Sequence, residues 1–465
     1  MGWYSTFLER TLLPLVLRRD DRHSAISHWR FLEQSQYWSR NKLLIYQLEK
    51  LQQLLAHAYQ FCPYYTSLLS ELGLKPESFQ SLSDLQKIPV LTKELIFANT
   101  DRIVSTEFNR ADLQKFSSGG TTGQQTTMFI DNESFNLKLA SAWRFEHWMG
   151  LTPCEKLAIF WPASMDLDAE ASLKSRIKNR YILRTLVLHI GASSEARMRE
   201  FYGELVSFNP RFLKAFPAPL REFAQFLREN SLTAPQVKAI MSTGEPLYDD
   251  LRTYLEGTFQ SPIYDMYGSR EVGNTSAQCS ERSGLHVAME TSIVEFLKDG
   301  IPVGPGKRGE LFITDLTNYA FPLIRYQISD YGCSIDEPCA CGRGLVRMST
   351  GVGRVQDDFV DVSGRRHSSI VLAVHMTADL SHRIGQIQIV QRSLSDFLVR
   401  LTRKPEPTTE TFQFIEGRMK KLIGDTIRIE FELVDKIPQE RSGKTRFVIC
   451  LVDQKTGAVR QSHES

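Results

Sequence analysis

Apolar positions along this chain recur first with a helical period and later in short unbroken runs. Between residues 42 and 60, Leu44, Leu48, Leu51, Leu55 and Ala58 return every three or four positions, which predicts one helix. Pro63 follows and ends it. Further on, Leu157–Trp161, Phe212–Phe216, Val237–Met241 and Ile263–Met266 are short apolar runs that predict buried strands. Leu220–Arg228 and Leu247–Leu255 lie between them and are amphipathic, which predicts helices. That alternation implies a largely parallel sheet. Three runs lead into Pro217-Ala218-Pro219, Ser242–Glu245 and Tyr267–Glu271, expected as loops. Loops at the carboxyl ends of parallel strands are where open α/β sheets bind ligands.

The rhythm changes near residue 291. Ile293–Leu297, Glu310–Thr314 and Leu323–Ile328 are strand-like, with Gly/Pro turns over 299–309 and no helix between them, which predicts an antiparallel β subdomain over about 291–350. Gly351-Val352-Gly353-Arg354 is expected to form a flexible break. Beyond it, Gln386–Gln391, Phe397–Leu401 and Arg428–Leu433 predict strands and 411–423 a helix. The fold class expected is therefore α/β. A large N-terminal domain over 1–353 combines mixed sheets, helices and the β subdomain, and a small mobile α+β domain spans 354–465.

Composition sets limits on function. The 465 residues are 42% hydrophobic and 24% charged, ordinary for a globular protein with ample core. A net charge of +2 gives no electrostatic case for nucleic acid. Seven cysteines without framework spacing, and no secretory signal, point to a reducing cytoplasm. Phe7 to Leu17 carries Glu9, Arg10 and Pro14 and is too short to span a bilayer, so no transmembrane segment is expected. Trp3, Tyr4 and Phe7 before Arg18-Arg19 can touch a membrane surface, and MGWYST fits a loose myristoylation pattern. A docked N-terminal helix is the simpler reading.

Five motifs carry the chemistry: SSGGTTG at 117–123, STGE at 242–245, YGSRE at 267–271, RYQISD at 325–330 and RSGKT at 441–445. In the first, glycines let main-chain N–H groups approach phosphate oxygens and hydroxyls add donors. No Lys follows Gly123, so this is not a P-loop. Glu271 can hold Mg²⁺, which binds few protein oxygens. Asp330 can accept hydrogen bonds from ribose hydroxyls, and Lys444 beside Ser442-Gly443 can meet phosphate charge. Alone, each is an ordinary polar loop, a solvated carboxylate, a turn residue or a basic loop; order and spacing make the set specific. The runs Trp143–Trp148, Phe160-Trp161-Pro162 and Phe216–Pro219 are candidates for an acyl pocket or simply core.

In that order the motifs resemble the adenylate-forming enzymes, the acyl-CoA synthetase and luciferase superfamily. The chain looks most like the phenylacetate–CoA ligase and CapK-like branch, which Leu51–Ala58, Cys62-Pro63-Tyr64-Tyr65, Leu82–Leu85 and Ile88-Pro89-Val90-Leu91-Thr92-Lys93 support. The resemblance covers roughly residues 29–450. It implies that Ser117, Ser118, Gly119, Gly120, Thr121, Thr122 and Gly123 bind phosphate, and that Ser242, Thr243, Gly244, Glu245, Tyr267, Gly268 and Ser269 flank adenine. It implies Glu271 for Mg²⁺, Asp330 for ribose, Arg354 just before the hinge and Lys444 as catalytic Lys. The implied reaction joins a small carboxylic acid to AMP from ATP, then to a thiol, CoA foremost. An amine or carrier-protein thiol as acceptor, or a nucleotide-binding homologue without turnover, are the alternatives. A homodimer is compatible with the sequence.

Three departures stand out. SSGGTTG carries an extra Gly, Ser329 stands where the family has Gly, and Gln356 takes the place of the hinge Asp, with Asp357 and Asp358 displaced. A second constellation is independent of ATP. Cys339-Ala340-Cys341-Gly342-Arg343 follows Cys333, and Cys279 and His286 flank Ser283-Gly284. Cys279, His286, Cys339 and Cys341 would complete a tetrahedral Zn²⁺ site, with Cys333 as the substitute ligand. The resemblance implies the same structural zinc; reduced, inert cysteines are the alternative.

Overall fold

The protein is described here by a computed structural model of residues 8–118, 126–161, 178–189, 195–247, 249–354, 359–360, 366–367, 386–403, 406–437 and 448–452. Its N-terminal third is helical: α1 (Ser24–Ser35), α2 (Arg40–Phe61), α3 (Pro63–Glu71) and α4 (Lys93–Ile103). Ser39 caps α2 by accepting from the Lys42 amide at 3.3 Å. Pro63 both follows α2 and opens α3, because its missing N–H is one the first helical turn leaves unpaired anyway. The buried face of α2 runs Leu43, Gln47, Leu51, Leu54, Leu55 and Ala58. This corrects the expected stripe at its start: Leu44 is exposed, because Leu43 packs on Met289 and Leu345 and Gln47 donates to the Ser292 carbonyl.

A hairpin of β1 (Gln114–Ser118) and β2 (Thr126–Ile130) leads into α5 (Asn132–Trp148), capped by Asp131. Then come β3 (Leu157–Trp161), β4 (Thr185–His189), α6 (Glu195–Phe208), β5 (Phe212–Ala215), α7 (Pro217–Glu229), β6 (Ala239–Thr243), α8 (Asp249–Phe259) and β7 (Ile263–Ser269). Antiparallel β8 (Gly273–Ala277) and β9 (Leu285–Val287) follow.

The expected parallel pairing is present: β4, β3, β5, β6 and β7 lie side by side in that order, all parallel. Both faces are covered. On β6, Ile240 packs with Phe201, Phe223 and Leu255 from α6, α7 and α8, while Ala239 and Met241 pack with Phe145 from α5. That is why the strand reads as an unbroken apolar run. All three expected loops are partly or wholly regular structure, and Ser242–Thr243 ends β6. Pro217–Pro219 is the first turn of α7, where Pro suits the opening position, and Tyr267–Ser269 extends β7.

The β subdomain is a five-stranded antiparallel sheet in the order β11-β10-β12-β13-β16, made of β10 (Ser292–Lys298), β11 (Ile301–Pro302), β12 (Gly309–Asp315), β13 (Tyr326–Gly332) and β16 (Gly353–Arg354). Residues 323–325 precede β13 rather than belong to it, and the expected flexible break at 353–354 is instead a paired strand. Between them, β14 (Ser334–Ile335) and β15 (Arg347–Met348) leave this sheet and complete the nine-stranded one beside β9. One core joins the subdomain to the N-terminal helices through Leu51, Leu55, Tyr65, Ile96, Ile293, Leu311 and Tyr326.

Toward the C-terminus, β17 (Phe359–Val360) and β18 (Arg366–His367) pair, and β19 (Ile387–Gln391), β20 (Asp396–Thr402), β21 (Arg428–Val434) and β22 (Val448–Cys450) form a four-stranded mixed sheet. Helix α9 (Thr409–Ile423) covers it through Ile415, Met419 and Ile423. No helix among the described residues is long and apolar enough to cross a membrane.

Asp265 is buried inside β7, and burial pushes its carboxyl up to about 7 against the pull of Arg252. A carboxyl raised on folding keeps its proton in the native state across the interval between the ordinary carboxylate range and pH 7. The native state then binds more protons than the unfolded one, so this group's contribution to stability falls as pH rises through that interval. Asp265→Asn should therefore melt higher than the parent at pH 8, with the gain shrinking toward pH 5, as read by thermal melts across that range.

Candidate active site and metal cluster

The parallel strands deliver their carboxyl ends side by side. Thr243 at the end of β6 is in register with Met266, so Gly244-Glu245, just past β6, comes beside Tyr267-Gly268 in the adjacent strand. Gly244 has φ +81°, and a Cβ there would clash with Cε1 of Phe216, so that ring rests on the bare backbone. Phe216 in turn stands perpendicular to Trp161, with ring centroids 4.8 Å apart. Two of the candidate acyl-pocket aromatics thus meet at strand ends, whereas Phe160 packs into core against Phe223. Trp143–Trp148 lies elsewhere: Phe145 is core, and Trp148 edges onto His286 at 5.7 Å.

The two sheets share an apolar core and are also joined by a side-chain hydrogen bond. Tyr267 Oη donates to Asp330 Oδ2 at 2.6 Å. Burial, then the charge of Asp330, hold the Tyr267 phenol well above its ordinary pKa, so it remains a donor. Asp330 sits in β13 opposite Arg354 in β16, which sets the start of the expected hinge beside the ribose candidate. Ser329, where a Gly was expected, takes φ +63°.

Glu271 lies in the turn between β7 and β8 and is only 8% exposed. Its Oε1 is 3.9 Å from Lys93 Nζ. Lys93 arrives there because Leu91 bridges to β13: its amide donates to the Arg325 carbonyl at 3.0 Å and its carbonyl accepts from the Gln327 amide at 2.9 Å. The sequence reading used Lys93 only as part of a family segment; its signal was Thr92, the cap of α4, set just after a strand-like run. Lys138, also missed, reaches the Glu271 turn from α5 and ion-pairs with Asp315 at 2.7 Å.

Ser117 and Ser118 are strand residues in register with Thr127 and Thr126. Gly119, Gly120, Thr121, Thr122 and Gly123 lie outside the described residues, as do Gln356 and Lys444. The hairpin's Met128 and Phe129 share one core with Val272 and Tyr267, so its base belongs to the same body as the Glu271 turn.

A second cluster occupies the antiparallel end of the large sheet. Cys279 follows β8, His286 is in β9, and Cys339 and Cys341 lie between β14 and β15. Pairing of His286 with Arg347 draws the last segment in. The four ligand atoms lie within 4.8 Å of one another. Tetrahedral zinc, with Zn–S about 2.3 Å and Zn–N about 2.0 Å, places sulfur pairs about 3.8 Å apart and sulfur–nitrogen pairs about 3.5 Å apart. Here Cys279 Sγ and Cys339 Sγ are separated by 3.7 Å, and Cys341 Sγ and His286 Nε2 by 3.4 Å. Burial, then the nearby Arg343, push the His286 pKa down to about 4, leaving the neutral imidazole that a metal needs. Burial opposes the Cys339 thiolate, yet hydrogen bonds from Cys341, Ser283 and Cys279 bring its pKa below the usual thiol value. The donor set fits Zn²⁺. Cys333 is not among the four.

Comparison with known proteins agrees with this architecture. Residues 364–450 match the family model of the CapK C-terminal domain. The phenylacetate–coenzyme A ligase of Thermus thermophilus is 25% identical over 89% of this chain and 97% of its own. Protein CapK of Staphylococcus aureus is 22% identical over 83% of this chain and 84% of its own. Among solved structures, 2-hydroxyisobutyryl-CoA ligase in the postadenylation state with 2-HIB-AMP superposes with TM-score 0.72 at 20% identity, covering 87% of this chain and 88% of that one.

Gly244 is the position most sensitive to a small change. Gly244→Ala adds a Cβ at a left-handed φ and into the Phe216 ring, with an expected loss of about 1–3 kcal/mol by chemical denaturation. Adding Phe216→Leu should recover only the part due to the clash.

Proposed function

We propose that this chain, which belongs to the adenylate-forming superfamily in its phenylacetate–CoA ligase and CapK-like branch, is an ATP-dependent carboxylic acid–CoA ligase that forms AMP. The observation that carries the reading is the Tyr267–Asp330 hydrogen bond, which unites two motifs 63 residues apart. The named activities of the relatives and of the solved neighbour favour CoA over an amine as acceptor.

In the first step an oxygen of the substrate carboxylate attacks the α-phosphorus of ATP, the bond to the bridging oxygen breaks, and pyrophosphate leaves. Asp330, oriented by Tyr267, accepts from the ribose hydroxyls. Gly244-Glu245 and Tyr267-Gly268 flank adenine, and residues 117–123 donate to phosphate oxygens. Glu271 is the residue that would hold Mg²⁺, which supplies charge neutralisation when bound with ATP. Its nearly buried carboxylate, 3.9 Å from a single ammonium, suits a hard cation that takes few protein oxygens. Lys444 neutralises charge growing on the phosphate oxygens, where such a site gains most of its rate. In the second step the CoA thiol loses its proton and attacks the acyl carbon, and AMP departs. Lys444 has no part in that step, so the C-terminal domain turns about residues 354–357 between the two, a gating motion.

Acid-dependent exchange of labelled pyrophosphate into ATP tests the first step, with a panel that starts from phenylacetate and 2-hydroxyisobutyrate. Every acid failing, with the chain folded, would remove the ligase reading. Thioester formation that needs free CoA tests the second. Lys444→Ala should abolish exchange and leave thioester formation from supplied acyl-adenylate largely intact; equal loss of both steps would refute the rotation.

Cys279, His286, Cys339 and Cys341 hold a structural Zn²⁺ in this reading, stitching β8–β9 to the segment before β15. Elemental analysis should find about one zinc per chain. Chelation should lower the melting temperature, and zinc return should restore it. A chain that purifies without zinc and melts unchanged in chelator would overturn the assignment.

A further inference from the structure

We propose that Lys138 on α5 is a positioning residue for Glu271, holding the turn from Ser269 to Gly273 in the geometry that binds Mg²⁺ with ATP; this rests on the Glu271 role proposed above. Lys138 is anchored outside that turn by an ion pair and reaches the turn itself through two contacts. Its Nζ ion-pairs with Asp315 Oδ2 at 2.7 Å, the two side chains being 14% and 2% exposed. The same Nζ donates to the Glu271 main-chain carbonyl at 3.4 Å. Its stem lies against Gly273, whose φ is +76°: a Cβ there would sit 3.0 Å from Lys138 Cδ.

The far end of this brace is anchored. Asp315 Oδ1 accepts from the Thr317 amide at 2.9 Å and from Thr317 Oγ1 at 2.6 Å, so the carboxylate is fixed at the end of β12. The near end is a turn whose neck is tight. Ser269 is in register with Gly273, and a Cβ on Gly268 would lie 2.6 Å from the Gly273 carbonyl. Val272 is buried in the core between them. With the neck closed and Val272 anchored, Lys138 acts on the main chain of Glu271 itself. Its contact is to the carbonyl rather than the carboxylate, so it sets where Glu271 points and leaves the carboxylate for a cation.

A purely structural ion pair would protect stability alone, and the test separates the two. ATP binding to the full chain is followed by calorimetry over a series of MgCl₂ concentrations, alongside thermal melts. Lys138→Gln is made both alone and on Asp315→Asn, where no buried carboxylate is left unpaired. Lys138→Gln should raise the Mg²⁺ needed for half-maximal ATP binding by about tenfold, as loss of an outer-shell partner of a metal ligand does, and Glu271→Gln, which replaces the ligand itself, should raise it at least as much. Asp315→Asn with Lys138→Gln should show the same rise over Asp315→Asn alone, and Lys138→Arg should return the value close to the parent's. If the Lys138 variants lose only melting temperature while Glu271→Gln shifts the Mg²⁺ requirement, the positioning role is overturned and Glu271 stands. If Glu271→Gln leaves the requirement unchanged, the Glu271 reading fails and this inference falls with it.

Discussion

The hydrogen bond from Tyr267 to Asp330 is the constraint on which the proposed site rests. Tyr267 lies near the end of a strand of the large sheet, and Asp330 lies in the separate antiparallel sheet. A phenol kept protonated by burial, facing a carboxylate at 2.6 Å, aligns the two sheets where their shared core brings them together. A charge-assisted bond of this kind is stronger than a neutral one and directional. With it in place, the ends of β6 and β7, the Glu271 turn and the first residues before 355 fall within one body.

The N-terminal helices take part in that body and are more than an appendage. Leu91 bridges to β13, and α2, α3 and α4 share a core with the antiparallel sheet. The same docking brings Lys93 to Glu271. Cations from two helices, Lys93 and Lys138, thus address one turn, the first at its carboxylate and the second at its main chain. The cysteine–histidine cluster sits at the antiparallel end of the large sheet, beside two short hairpins whose Leu285, Val287 and Met348 enter the main core. A metal there would supply cross-linking that apolar burial does not.

How much was legible differs by element, for physical reasons. The five motifs, the parallel strands β3, β5, β6 and β7 and the four clustered metal-ligand candidates could be read because each depends on local residue type and spacing. The start of α2 was misread because Leu43 and Leu44 offer two adjacent apolar stripes, and only the neighbours Met289 and Leu345 choose between them. Pro217–Pro219 looked like a loop because Pro signals both turns and helix starts. β4 went unpredicted because only Leu186, Val187 and Leu188 of its five residues form an apolar run.

The order of residues alone therefore determined the family resemblance, the α/β class and the identities of the candidate phosphate, ribose and metal groups, since these follow from side-chain chemistry and periodicity. Tertiary structure decided which of them meet. Tyr267 to Asp330, Lys93 to Glu271, Lys138 to Asp315 and Cys279 to Cys339 are each contacts across 60 residues or more. No local pattern encodes such pairs; they arise when sheets and helices bury their apolar faces together and leave few places for the polar groups to go.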